Sequence, residues 1–355
     1  MNIETNDCAP HAHQRNPAWQ GIRHWFDNGN VATVDAAPDA TSDVMGWRSI
    51  DLLRVLPFIA IHAGCLAVIW VGVSTTAVVV AALLYALRMF AITGFYHRYF
   101  SHRAFRASRG VQFALAVLGA SAVQRGPLWW ASHHRHHHVH SDEPVDAHSP
   151  RQHGFLWSHL GWFLARGNFT TRIDRVGDLA KFPELRFLDR YDGLVPLLLG
   201  VMLFGTGEAL ASVVPSLDVS GFQLLVWGFC ISTVALYHAT FTINSLAHCF
   251  GTRRYATHDD SRNNALLALL AFGEGWHNNH HHFPGAARQG FYWWEVDLTW
   301  YGLKALAALG VIRDLKGVPQ RVRDARRIEA IGKPSVPKSI ATARDAACSA
   351  RSPSH

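Results

Sequence analysis

The segment from Trp129 to Asp142 reads WWASHHRHHHVHSD, and His134, His137 and His138 within it stand at i, i+3 and i+4. On an α-helix that spacing puts three imidazoles on one face. Each neutral ring offers one nitrogen lone pair, so such a face is a surface for a metal ion. A histidine-rich tract by itself has a plainer reading as solvated surface. The spacing recurs, however, at His277, His280 and His281 in GEGWHNNHHHFP, and two such triplets read as two halves of one site. His97 and His102 in HRYFSH add a pair at i, i+5. On a straight helix these rings point about 140° apart, so either the helix frays there or the rings serve neighbouring metals. Asn244 and His248 come next at i, i+4 in NSLAH.

The candidate metal ligands are then His97, His102, His134, His137, His138, His248, His277, His280 and His281. Nine imidazoles exceed one tetrahedral zinc and suit two metals with four or five ligands each. Asn244 is placed to orient a water that completes one sphere. Imidazole suits zinc, copper, nickel and iron alike, so ligand type does not name the metal.

The elements that must carry these side chains are apolar. Val55–Val73 and Ala77–Phe95, 19 residues each, flank a turn at Ser74-Thr75-Thr76; each approaches the ~20 residues that cross a bilayer as helix. Leu194–Val214 and Phe222–Ile243, 21 and 22 residues, make a second hairpin around Pro215–Gly221. His62 in the first span reads as a packed, hydrogen-bonded residue. Arg88 is costly in lipid and must face protein or reach the headgroups. Val111–Val123 holds 13 residues; at ~1.5 Å each it spans about 20 Å, which places it at the interface or as a re-entrant helix. The short hairpin turns carry no Lys or Arg, whereas 96–192 is studded with Arg. The positive-inside rule therefore puts both tails and the long central loop in the cytoplasm. Four crossings bring His97, His138, His248 and His281 to that one face.

Residues 1–45 are a polar tail, with His11, His13 and His24 solvated and a short amphipathic piece at Trp19–Phe26. Gly154–Leu164 (GFLWSHLGWFL) is a helix lying in the headgroup layer. Residues 249–315 form a polar cap with aromatic anchors in FYWWEVDLTWYGL. Beyond Gly317, RVRDARRIEAIG is a basic helix that leads into a disordered Ser/Ala/Arg-rich end. The domain reading is 1–45 tail, 46–316 membrane domain with cap, and 317–355 basic tail. The fold class is all-α: a multi-pass membrane protein of four transmembrane helices in two hairpins, with a cytoplasmic helical cap carrying a histidine-ligated dimetal site.

Composition agrees and excludes alternatives. Of the 355 residues 49% are apolar and 17% charged, with 13 Trp and 20 Phe, which fits a membrane protein with aromatic belts. The five Cys are scattered without a CxxC pair, which argues against a disulfide framework, a thiolate zinc site or a fused iron–sulfur domain. A net charge of +7 suits anionic headgroups or an acidic partner, and no nucleic-acid module is present to use it. A dimetal site at the membrane surface can meet a lipid chain whose headgroup stays in water. Oxidising an unactivated C–H bond favours an oxygen-activating metal, iron over zinc. A histidine-rich metal transporter, the rival from another class, would set its ligands at mid-membrane depth, where these spans carry almost none.

With these motifs in order, HRYFSH, HRHHH, NSLAH and HNNHH around two hairpins, the sequence resembles the membrane fatty acid desaturases, and within them the acyl-CoA (stearoyl-type) Δ9 branch. The resemblance covers roughly 50–315 and includes GFYHRYFSHRAF, Trp130 before the central box, DAHSP and GFLWSHLGW. It implies two irons on the matching histidines, a water held by Asn244, and O2 as co-substrate. The implied reaction places a cis double bond in a saturated acyl-CoA chain. Two electrons then come from a separate donor, a ferredoxin or small haem cytochrome with its NAD(P)H reductase, since no HPGG-type haem segment or cysteine motif is present. An acidic donor would dock on the Arg-rich face. The chain departs from the acyl-CoA branch at Ser132 and His133, where that branch has Arg-Asp, and at Arg125 and Gly126, where it has Asn-Asp. Those positions help hold the CoA headgroup, so Arg125, Trp130 and Arg151 become headgroup candidates and a phospholipid-linked chain the alternative substrate. A membrane diiron hydroxylase is the alternative reaction. His133, His136, His140 and His282 fall outside the family pattern and read as supporting or surface residues, as do His148, His153, His159, His238 and His258. The implied location is a bacterial cytoplasmic membrane.

Overall fold

A computed structural model describes residues 22–29 and 46–328. The expectations for His11 and His13, for residues 19–21 and for the Ser/Ala/Arg-rich end lie outside the described residues; residues 22–26 make a short helical turn, and His24, expected to be solvated, is partly buried against a cavity with its Nδ1 unpartnered. The chain is built of helices, with one pair of two-residue strands, β1 (Arg106–Ala107) and β2 (Ile312–Arg313), antiparallel with Arg106 opposite Arg313.

The first apolar element, α1 (Leu56–Val71), is 16 residues long. It tightens to a 3₁₀ turn at Cys65–Ala67 and ends at Gly72, whose φ is 68°. At ~1.5 Å per α-residue and ~2.0 Å per 3₁₀ residue it spans about 25 Å. It is thus shorter than the span of Val55–Val73 that hydropathy predicts. Ser74, expected in a turn, instead caps α2 (Thr75–Ser101): its hydroxyl accepts from Ala77 N and donates to Gln223 of the second hairpin. α3 (Arg109–Ala120) is capped by Ser108 and is as short as expected. α4 (Pro127–His140) starts with Pro127 in its first turn, and α5 (Pro183–Arg190) lies against it. α6 (Leu194–Val213) and α7 (Gly221–His248) form the second apolar hairpin. Among the described residues three helices, α2, α6 and α7, are long and apolar enough to cross a membrane. The cap adds α8 (Ala265–Leu270), α9 (His277–His282), α10 (Leu298–Ala308) and α11 (Gln320–Asp324).

Two stretches differ from expectation. Gly154–Leu164 is helical from Phe155 to Leu164, but it is not regular α-helix throughout, passing through π geometry at Trp157–Gly161 and 3₁₀ geometry at Trp162–Leu164. Within it Trp157 and Trp162 are buried and Phe155 and Leu156 exposed. The basic stretch after Gly317 forms only the five-residue α11; Ala325 leaves helical geometry, and Tyr255 pairs with Arg327 in a bridge.

The core packs α2 against α3, α4, α7 and α10 around Phe95, Tyr96, Phe100, Leu236 and Leu303. Gly119 permits the α2–α3 approach, since a Cβ there would lie 2.1 Å from the Tyr96 ring. His62 Nδ1 donates to Phe58 O at 2.8 Å, a packed residue as expected. Arg88 faces protein: it is fully buried and donates to Ser232 Oγ at 2.6 Å, Thr233 Oγ1 at 2.7 Å and three backbone carbonyls. Hydrogen bonds to a charged group contribute about 1.5–3 kcal/mol each. Ser232→Ala with Thr233→Val should therefore lower the thermal midpoint of the solubilised protein by several degrees. Adding Arg88→Met should recover most of that loss, as read by tryptophan fluorescence on heating.

Candidate metal centre

The i, i+5 pair at His97 and His102 is resolved by the backbone. α2 starts as an α-helix and continues from Ala91 to Ser101 as a π-helix. In a π-helix the backbone bond runs i→i+5, so residues five apart stack one above the other. His102 N donates to His97 O at 3.3 Å, and the two rings lie 4.9 Å apart. Neither fraying nor separate metals is needed: both rings enter the same group.

The nine sequence-nominated histidines converge in two groups. His97, His102, His134, His138 and His280 make the first, and His137, His248, His277 and His281 the second, the ligand atoms of each lying within 4.8 Å of one another. Each triplet is split between them. α4 sends His134 and His138 to the first group and His137 to the second, whereas α9 sends His280 to the first and His277 and His281 to the second. His248 arrives on the 3₁₀ turn that ends α7. A third group, His137, Asp146 and His148, shares one ring with the second.

The donor set fits cations. In the first group the Nε2 atoms form a chain: His102 to His134 at 2.8 Å, His134 to His138 at 3.0 Å, His138 to His280 at 2.8 Å and His280 to His97 at 3.0 Å. Three of these nitrogens face two others each, more than one N–H or one lone pair satisfies well. Metal–nitrogen bonds of about 2.1 Å at right angles separate nitrogens by about 3 Å. In the second group His248 and His277 bring their Nε2 atoms to 3.1 Å, and His281 Nε2 is buried with no partner.

Carboxylates fix the ring orientations from outside. Asp146 Oδ2 accepts from His137 Nδ1 at 2.9 Å, Asp142 Oδ2 from His248 Nδ1 at 2.9 Å and Asp259 Oδ2 from His281 Nδ1 at 2.5 Å. Glu274 pairs with His97 Nδ1 and with the buried Arg98 guanidinium. A proton held on Nδ1 leaves the Nε2 lone pair pointing inward. Burial, then the neighbouring imidazoles, holds His102, His134, His138, His277 and His280 well below the ordinary histidine range, which keeps them neutral as ligation requires. Burial alone would raise Asp142, Asp146 and Asp259, but the facing imidazoles outweigh it and hold all three well below the usual carboxylate range. The sequence reading missed these four carboxylates. Each lies in a loop without a spacing rule, although Asp142 ends WWASHHRHHHVHSD, Asp146 stands in DAHSP and Glu274 in GEGWHNNHHHFP, so proximity to the histidine motifs was the available signal.

Beside the first group opens a cavity of about 530 Å³ with His134 and Asn244 on its wall. Phe58, Phe163, Tyr237 and Phe241 line its apolar part, and Asn28, Arg54, Arg125 and Asp192 its polar part. Arg125 donates to Asp192 at 2.6 Å and lies over the Trp129 ring at 5.1 Å. Trp130 stacks on His134 at 4.9 Å and also lines the cavity. Arg151 does not line it; its exposed guanidinium faces Asp260 at 3.6 Å. Asn244 accepts a bond at its backbone carbonyl from Ser158. Gln124, unremarked in the sequence, donates to Thr240 at 2.8 Å on the cavity wall.

Other described histidines bond or stack within the protein or face solvent. His136 bonds Val145 O, His140 pairs with Glu143, and His153 bonds Asp146 O. His282 stacks on Tyr255 with ring centroids at 4.0 Å. His159 bridges Ser245 and His238, His133 packs between Trp129 and Trp162, and His258 is exposed. Removal of an outer carboxylate typically costs about 10–100-fold in metal affinity. Asp142→Asn and Asp259→Asn should accordingly lose metal to a chelator at concentrations the unmodified protein withstands, with helical content unchanged by circular dichroism.

Comparison with known proteins agrees with this geometry. The profile described as fatty acid desaturase matches residues 74–314. The chain is 39% identical over 274 residues, 76% of this chain and 70% of the relative, to a palmitoyl-monogalactosyldiacylglycerol delta-7 desaturase of Arabidopsis thaliana. It is 38% identical over 270 residues, 75% of this chain and 94% of the relative, to an sn-1 stearoyl-lipid 9-desaturase of Anabaena variabilis. An icosanoyl-CoA 5-desaturase of Limnanthes douglasii is 36% identical over 275 residues, 76% of this chain and 73% of the relative. With three long apolar helices, two histidine groups at their ends and this span of similarity, the chain belongs to the fatty acid desaturase family.

Proposed function

We propose that the protein is an O2-dependent diiron desaturase that places a cis double bond, at Δ9, in a saturated acyl chain. The observation that carries this reading is the pairing of two imidazole groups with an apolar cavity whose wall includes His134 and Asn244. His97, His102, His134, His138 and His280 would hold one iron. His137, His248, His277 and His281 would hold the other, with Asn244 orienting a water. When bound, the irons supply the oxygen activation that an unactivated C–H bond demands. The chain's own residues do the rest. The cavity's aromatic wall orients the acyl chain and excludes water, while the outer carboxylates keep the ligand rings in register.

The carrier is proposed to be coenzyme A, with a glycerolipid ester as the second reading. The second reading rests on Ser132 and His133, which depart from the acyl-CoA pattern, and on relatives named for lipid-linked chains. Arg125 and Trp130 at the cavity are the residues proposed to meet the headgroup; Arg151 would have to act from outside it. The protein is further read as four membrane crossings in two hairpins within a bacterial cytoplasmic membrane, with both ends and the centre on the cytoplasmic side. α1 then crosses in company with α7, and its exposed Ile59, Leu66, Ile69 and Trp70 face lipid. Electrons are proposed to come from a separate ferredoxin or small haem cytochrome served by an NAD(P)H reductase.

Expression in a host that makes no unsaturated fatty acids should yield a Δ9 cis alkene, located by mass spectrometry. His134→Ala and His281→Ala should each abolish it, and the purified protein should hold two irons. An alcohol product would make the protein a hydroxylase, and metal flux without oxygen uptake a transporter. Parallel assays with stearoyl-CoA and with stearoyl glycerolipid in vesicles decide the carrier.

A further inference from the structure

The arginine-rich central loop that sequence alone nominates as a donor-docking face is largely neutralised. Arg103 and Arg135 share Asp178, Arg109 pairs with Glu184, Arg172 with Asp174 and Arg190 with Asp27. Arg175, Lys181 and Arg186 of that loop form no ion pair among the described residues, but a denser run of uncompensated charge lies elsewhere. The segment Gln320–Ile328 carries Arg321, Arg323, Arg326 and Arg327 against the single Asp324. Among the described residues no carboxylate forms an ion pair with any of the four, and Arg321, Arg326 and Arg327 are exposed.

This segment is a strap fastened over the back of α9. Ala256 N donates to Arg326 O at 2.8 Å, Ile328 N to Arg254 O at 2.8 Å and Tyr255 Oη to Arg323 O at 3.1 Å. His282 Nε2 bonds Val322 O at 2.8 Å, and its ring stacks on Tyr255 with an interplanar angle of 6°. His282 directly succeeds His280 and His281, one from each imidazole group. One hydrogen bond and one ring therefore join this exposed basic surface to the helix that carries three of the nine imidazoles. His282 is one of the histidines that fall outside the ligand pattern.

We propose that the strap, with Arg321, Arg326 and Arg327 as its contacts, is the landing surface for a small acidic one-electron carrier protein. This rests on the desaturase reading above and names where that enzyme's electrons enter. The balance requires such a partner. Reducing O2 to two waters takes four electrons and four protons. The acyl chain gives up two hydrogens as its C–C bond becomes C=C. Two further electrons and two protons must be supplied, so a one-electron carrier docks twice per double bond. Positive charge on the strap steers a negatively charged carrier to it.

The test uses the full-length, iron-loaded enzyme in nanodiscs with reduced plant-type ferredoxin or a reduced acidic cytochrome haem domain. For the carrier that the unmodified enzyme accepts, Arg321→Glu with Arg326→Glu should raise KM about tenfold or more, because the reversed charges repel it. Salt should raise KM for the unmodified enzyme and not for the variant. Turnover driven by reduced methyl viologen, and the iron content, should be unchanged. A control pair on the central loop, Arg172→Glu with Arg186→Glu, should leave the carrier KM unchanged. The proposal is overturned if the strap variant keeps its carrier KM, if the control pair raises it instead, or if viologen-driven turnover falls with the carrier-driven rate. An unmodified enzyme that makes no alkene even with viologen would sink the desaturase reading and not the docking surface.

Discussion

Nine imidazole nitrogens gathered into two groups, the atoms of each within 4.8 Å of one another, are the constraint on which this structure depends. Left to themselves such rings would turn outward or take up protons. Burial holds six of the nine below the ordinary histidine range, and Nδ1 of four rings is committed to a carboxylate outside. The inward nitrogens are then left facing one another, and His281 Nε2 has no partner at all. A centre of this kind is assembled for cations, and its geometry is imposed by the shell around it.

That shell extends beyond the first carboxylates. Glu274, which orients His97, is itself held by Arg98, and Arg98 reaches Asp297 at 3.0 Å and the Ala287 carbonyl at 2.8 Å. Asp297 also caps α10 and accepts from Gln289 N, so one buried guanidinium ties the π segment of α2 to the loop before α10. Asp142 reaches His248, Ser149 and the Asp260 amide together. Ligands from four separated stretches are thus fixed by charge-assisted bonds in a dry interior, where such bonds are strong and their loss is costly.

The membrane elements serve the same end. α2 and α7 deliver His97 and His248 from the ends of long apolar helices, and each helix departs from regular α geometry along its length. α2 becomes a π-helix at Ala91–Ser101, and α7 passes through a π segment at Leu225–Ile231. A π segment rotates the turns beyond it, which re-aims a side chain without a break in backbone bonding. Arg88, midway along α2, spends its donors on the hydroxyls and carbonyls of α7 and neighbours and so locks the two helices together.

What the sequence determined was the chemistry: the nine histidines, the apolar lengths that carry most of them, and the need for Arg88 to face protein all come from residue type and spacing. Those features are local, and helical periodicity expresses them directly. The division of each triplet between two groups was decided only by tertiary structure, because it depends on where α4 and α9 lie relative to each other. The same holds for the pairing of His97 with His102, which a regular helix forbids and a π-helix provides. The orienting carboxylates, the cavity and the neutralisation of the central arginines were likewise beyond the sequence. Most of these depend on residues far apart in the chain, such as His248 with Asp142 and Arg103 with Asp178, and no spacing rule records which loop will fold against which helix.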